Sequence, residues 1–200
     1  MWRLGDFKHV FIVVGLVGVL AFSLPSLSLL WRNSKVEAFS ELYVLGPSHM
    51  AEDYPFEVKS GQDNFVFVGV TDHLGSAAYY EVQVKLRNGT EPLPNATESV
   101  PSSLPELYRF RAFVVDSATW EGTLTFQFLN VDFEGNVSRV GKIVINNIAF
   151  DVNKSVQWDA TNKGYYCQIF MELWIYEGVS SGFQYHNRFV GLWLNLTDSP

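Results

Sequence analysis

From about residue 36 onward the chain repeats one pattern: short runs of alternating apolar and polar side chains, cut by Gly, Pro, Asn and Asp. The clearest is Tyr80-Glu81-Val82-Gln83-Val84-Lys85-Leu86-Arg87. Successive side chains of a strand point to opposite faces, so a period of two gives one apolar and one polar face; a helix needs apolar residues three and four apart. The period recurs at Leu124, Phe126 and Phe128 against Thr123, Thr125 and Gln127, then at Cys167, Ile169, Met171, Leu173 and Ile175, and at Val190, Leu192, Leu194 and Leu196. No amphipathic helical stretch interrupts it. The expectation over residues 36–200 is an all-β domain of seven or more strands, an immunoglobulin-like antiparallel β-sandwich. Cys167 is the only cysteine, so the likeness is architectural and lacks the Cys…Trp…Cys signature. The thiol reads as buried and inert.

Turn chemistry divides the domain. Asp72 to Ser76 predicts a hairpin joining strands near 64–70 and 80–87. Ser117 to Gly122 predicts another, between Tyr108 to Val115 and Thr123 to Leu129. Asp132 to Asn136 turns the chain again, and Arg139 to Val152 holds one or two strands. Gly178, Ser180, Ser181 and Gly182 join the last two strands. Asn88 to Pro105 contains four of the eight prolines and reads as a long polar loop, 88–105.

Ahead of this domain, Val10 to Trp31 is uncharged and apolar over 22 residues. At about 1.5 Å per residue it makes a helix of roughly 33 Å, enough for a ~30 Å hydrocarbon core. It is longer than a signal-peptide core and no A-x-A pattern follows it. The expectation is a transmembrane helix over 10–31 with a short cytoplasmic segment, 1–9. Arg3 and Lys8 on one side balance Arg32 and Lys35 on the other, so charge leaves the orientation open. Five N-x-S/T sequons, at Asn88, Asn95, Asn136, Asn153 and Asn195, all follow the run. They place the domain outside the membrane, exposed to a glycosylation system.

With 48% hydrophobic and 16% aromatic residues the domain can fill a core without disulfides. A net charge of −7 without a basic cluster argues against nucleic acid. His9, His49, His73 and His186 show no metal-ligand spacing, Asp132-Phe133-Glu134-Gly135-Asn136 lacks the EF-hand pattern, and no nucleophile or phosphate-loop motif occurs. The sequence therefore reads as non-enzymatic, with no catalytic residues, metal or cofactor. If Ile169 to Ile175 face inward, Phe170, Trp174 and Tyr176 face outward, and Phe189 and Trp193 join them from the next strand. These five form the candidate binding face, unless the 88–105 loop, the segment 46–60 or the membrane covers it.

The segments FSELYVLGP (Phe39 to Pro47), AEDYP (Ala51 to Pro55), FVFVGVTDHLGSAAYYEVQVKL and MELWIYE…FQYHNRFVGLWLNLT resemble the archaeal membrane-protein family catalogued as domain of unknown function 1616. That resemblance implies a membrane-tethered protein with an extracytoplasmic immunoglobulin-like domain in an archaeal cell envelope. It brings no catalytic residues to this chain. The function read from the sequence as a whole is a non-enzymatic single-pass envelope protein that binds a protein partner or surface glycan, with Trp174 and Trp193 as the contact. The alternative is an accessory subunit of a membrane complex for surface polysaccharide or glycoprotein assembly or export.

Overall fold

The computed structural model describes residues 11–20, 22 and 38–198. The chain divides into two compact units, Met1–Ala38 and Phe39–Pro200. In the first, residues 11–20 are helical. The rest of the expected span, residue 10 and most of 21–31, lies outside the described residues, as does the 1–9 segment. No helix among the described residues is long and apolar enough to cross a membrane.

The second unit is all-β, a ten-stranded curled sheet: β1 (Phe39–Leu45), β2 (Glu57–Lys59), β3 (Asn64–His73), β4 (Ala78–Asn88), β5 (Tyr108–Val114), β6 (Thr119–Glu134), β7 (Val137–Ile145), β8 (Ile148–Asp159), β9 (Gly164–Glu177) and β10 (Gly182–Thr197). The path runs β1-β3-β6-β7-β8-β9-β10-β2, with β4 on β9 and β5 on β4. All pairs between these strands are antiparallel except β2 with β10, which is parallel. Strand β8 joins the two halves. Most of its length pairs with β7, while Trp158 and Asp159 pair with Tyr165 and Gly164 of β9.

The alternation read from sequence sets the core. Val66, Val68 and Val70 of β3, Leu124, Phe126 and Phe128 of β6, and Ile143 and Ile145 of β7 are buried from one half. Val82, Val84 and Leu86 of β4 and Cys167, Ile169, Met171 and Leu173 of β9 are buried from the other, and all belong to one cluster. At about 25 cal/mol per Å² of apolar surface removed from water, such a cluster dominates the folding free energy.

Two expected hairpins are not formed. Strand β3 pairs with β1 and β6, not β4, and β5 pairs with β4, not β6. Turn residues mark where a chain reverses, but they do not fix whether the next strand stays in the same ladder. Here both turns carry the chain across the core. The segment 139–152 holds parts of two strands, β7 and β8, and the last two strands do pair.

A polar chain closes one end of the core. Tyr80 Oη is 3.0 Å from Asp72 Oδ2 and 2.6 Å from Ser40 Oγ, which is 3.1 Å from His186 Nε2. It links β1, β3, β4 and β10. Burial pushes the Tyr80 hydroxyl up to about 12, with the Ser40 hydrogen bond opposing and Asp72 reinforcing the shift. Ser40 is 1% exposed and Asp72 bonds Tyr80 rather than the imidazole, so this is a packed tie between strands and not an accessible nucleophile–base pair.

Candidate functional site

The polar face of β4 and the outward face of β9 and β10 form one surface. Cross-strand register places Trp193 beside Gln168 and Arg87, Gly191 beside Phe170 and Lys85, Phe189 beside Glu172 and Gln83, and Tyr185 beside Trp174 and Glu81. The five aromatics expected on this surface are there, but they do not form one exposed patch. Phe170 is fully buried. Trp174 and Phe189 are half-buried, and Tyr176 and Trp193 are exposed towards opposite ends of the strands.

The segment 89–107 is fastened over the polar residues Lys85 and Glu172 of this face. Ser102 N donates to Glu172 Oε1 at 2.7 Å, while Lys85 Nζ donates to Ser102 O and Glu172 Oε2, both at 2.9 Å. Lys85 and Glu172 are 4% and 0% exposed, so the ion pair is removed from water beneath Ser102. Nearer β4, Lys154 Nζ reaches Glu91 at 2.7 and 2.8 Å. Long and proline-rich as it is, the loop is fastened to the sheet by charge-assisted hydrogen bonds.

Beyond the loop, towards the β2 end of β10, lies an open cleft of about 660 Å³ lined by Phe56, Asn88, Gly89, Thr90, Gln157, Trp158, Asp159, Asn162, Tyr166 and Trp193. Phe56 is set by the parallel pairing of β2, where Asn195 N donates to Phe56 O at 2.7 Å. Its ring lies 6.0 Å from that of Tyr166. Tyr166 Oη donates to Asn162 O, and Asn162 Nδ2 donates to Asp159 Oδ2, both at 2.7 Å. The side-chain hydrogen bond from Asn162, then the backbone N–H groups of Asn162 and Thr161, hold the Asp159 carboxyl below the usual range. Trp158 is braced edge-on by Tyr165 at 5.0 Å.

Arg87, itself outside the lining, supports Trp193 and Gly89. Its guanidinium carbon lies 5.4 Å from the Trp193 ring centroid, a cation–π geometry. Nη1 donates to Gln168 Oε1, Nη2 to Gly89 O and Nε to Glu91 O. Burial pulls Arg87 below the usual guanidinium range, and the Glu91 charge opposes this. One side chain thus fixes both Trp193 and the turn 88–91. Gly191 leaves room for the Gln168 side chain; a Cβ there would collide with it.

Of the expected site residues, the cleft takes only Trp193 from the aromatic set and Asn88 from the sequons. Asn95, Asn136 and Asn153 are exposed, and Asn195 is half-buried in β10, its Oδ1 accepting from Tyr165 N. Phe56, Trp158 and Tyr166 lie outside the expected set. They come from three segments with no common period; the sequence hint was an aromatic flanked by amide and carboxylate in Gln157-Trp158-Asp159. Tyr176, at the other end of the face, packs with Tyr79 and Phe183 at 6.3 and 5.6 Å between rings.

The family described as domain of unknown function (DUF1616) matches residues 33–139, and the chain belongs to it. No curated protein matches the chain. Among solved structures, a beta-glucosidase from Listeria innocua in complex with glucose is similar at 10% identity, covering 80% of this chain and 16% of that one, with a TM-score of 0.42. A chain from the complex of zinc 2-glycoprotein with prolactin inducible protein from human seminal plasma is similar at 9% identity, covering 82% of this chain and 100% of that one, with a TM-score of 0.39.

Proposed function

We propose that the chain is a non-enzymatic, membrane-tethered envelope protein whose β-domain, an immunoglobulin-like sandwich, binds a saccharide in the cleft between β2, β8, β9 and β10. The lipid bilayer would hold it through the apolar run 10–31, with the N-terminus cytoplasmic and the domain outside. The observation that carries the ligand class is the lining of the cleft. Phe56, Trp158, Tyr166 and Trp193 contribute aromatic rings, and Asn88, Gln157, Asp159 and Asn162 contribute amide and carboxylate groups. A sugar ring has an apolar C–H face and a rim of hydroxyls, and a largely apolar pocket with a few placed polar groups meets both needs.

The test is a tryptophan-fluorescence titration of the full chain in detergent, made in a host without N-glycosylation. The probes are glucose, mannose, N-acetylglucosamine and their β-linked disaccharides. A saturable change with at least one of them, abolished in Trp158→Ala/Trp193→Ala at an unchanged melting temperature, is the expected result. No change with any probe defeats the reading. The accessory-subunit reading draws on the other end of the face, where Tyr79, Phe113 and Tyr176 are exposed together near Phe183. Phe113→Ser should then lose a partner that co-purifies with the wild-type chain from native membranes.

A further inference from the structure

We infer that the cleft is also the seat of the chain's own glycan: a saccharide attached to Asn88 folds back onto Trp158 and Trp193 and closes the site to free ligand. This rests on the saccharide reading above. All three residues of the sequon Asn88-Gly89-Thr90 line the cleft. The Asn88 side chain is already held in one orientation. Its Oδ1 accepts from Thr90 N at 3.0 Å, Thr90 Oγ1 at 2.9 Å and Glu91 N at 3.0 Å, which turns the carbonyl into the 88–91 turn. Nδ2 donates to Ser155 O at 3.1 Å. An amide nitrogen has two hydrogens, so this bond survives substitution of the other.

The covalent step joins Nδ2 to the anomeric carbon of a saccharide carried on a polyprenyl phosphate. The carbon–oxygen bond to the phosphate breaks, and the amide proton leaves with the released lipid phosphate. The first sugar ring then begins at the wall that Asn88 forms, in a cleft also lined by a Trp193 that Arg87 holds in place. Tethering raises its local concentration into the millimolar range for a short linkage. Stacking too weak to retain a free sugar is therefore populated by an attached one. Occupancy of Asn88 decides whether the cleft is filled or available.

The full chain from a glycosylating host, purified in detergent, is compared with Thr90→Ala, which removes the acceptor sequon and leaves Asn88 in place. Glycopeptide mass spectrometry reads occupancy, and acrylamide quenching reads tryptophan exposure. The expected result is an occupied Asn88 in the wild type and a loss of tryptophan shielding in the variant. The wild-type chain from a host without N-glycosylation should quench as the variant does, which guards against misfolding of Thr90→Ala. Removing both cleft tryptophans (Trp158→Phe/Trp193→Phe) should erase the difference. An unoccupied Asn88, or an occupied one with equal quenching, overturns the inference. Failure of the saccharide titration with shielding intact would instead remove the free-ligand reading and leave the glycan seat standing.

Discussion

Replacing Lys85 with Met removes the cation from a pair that has no access to water. Glu172 is fully buried, and its two oxygens are held by Lys85 Nζ at 2.9 Å and Ser102 N at 2.7 Å, with Trp174 Nε1 at 3.3 Å. A buried carboxylate left without its cation costs about 3–5 kcal/mol. In a domain of this size about 1 kcal/mol moves the melting temperature by roughly 2–4 °C, so Lys85→Met should lower it by roughly 6–20 °C. Glu172→Gln leaves the ammonium unpaired and should cost about as much. The double variant Lys85→Met/Glu172→Gln carries no charge at this pair, and its amide oxygen still accepts from Ser102 N. What it loses is chiefly the Lys85 bond to Ser102 O, about 1 kcal/mol. Urea denaturation of the four full-length proteins in detergent measures the cycle. The double variant should be more stable than either single one, and both singles should be cut in the 89–107 loop by dilute protease before the wild type is. Singles that cost under about 1 kcal/mol, or a double equal to their sum, would refute a buried, coupled pair.

Truncating Trp158 to Ala should weaken saccharide binding by about 1.4 kcal/mol or more, tenfold in Kd, with the melting temperature held; calorimetric titration measures it. The Cys167 thiol, pushed up to about 12 by burial, should resist maleimide at pH 8 until the domain unfolds, so labelling kinetics should track unfolding. Among the described residues Tyr185 Oη is buried without a hydrogen-bond partner, whereas Tyr80 Oη has two. Tyr185→Phe should therefore be neutral or stabilising and Tyr80→Phe should cost about 1–3 kcal/mol by denaturant titration. Burial, then Arg188, lowers the His186 pKa, while Asp72 and Glu177 oppose the shift. A depressed imidazole pKa means the unfolded state binds the proton more readily, so this contribution is intact above the ordinary histidine range and is lost as pH falls through the folded value. His186→Gln should flatten the stability profile between pH 7 and 5.

The legible part of this fold was what a period of two can encode. It located β4, β6, β9 and β10 and gave the inward set from Cys167 to Leu173. It could not say that the Asp72–Ser76 turn leads out of one ladder and into another, because the same Gly, Ser and Asp serve both kinds of reversal. Strand β2, at three residues, is too short for a period of two to mark and is held by its parallel pairing with Asn195–Thr197. On the binding face, alternation placed Phe170 and Trp193 on the same side. Their fates differ, since Phe170 is fully buried and Trp193 is exposed on one face, and a period of two cannot encode that difference. Tyr185 joins the face across an irregularity at His186 and Asn187, where Asn187 takes a φ of 53° and the local period breaks. The cleft itself was illegible, because Phe56, Trp158 and Tyr166 meet only through tertiary structure.

Saturation-transfer NMR on the full chain in detergent, produced without N-glycosylation, tests the saccharide cleft most directly. With the best-binding sugar from the fluorescence panel, saturation should reach the ring protons of one face of the sugar and vanish in Trp158→Ala/Trp193→Ala while Phe113→Ser retains it. Absence of transfer, or transfer that survives loss of both tryptophans, would contradict the account.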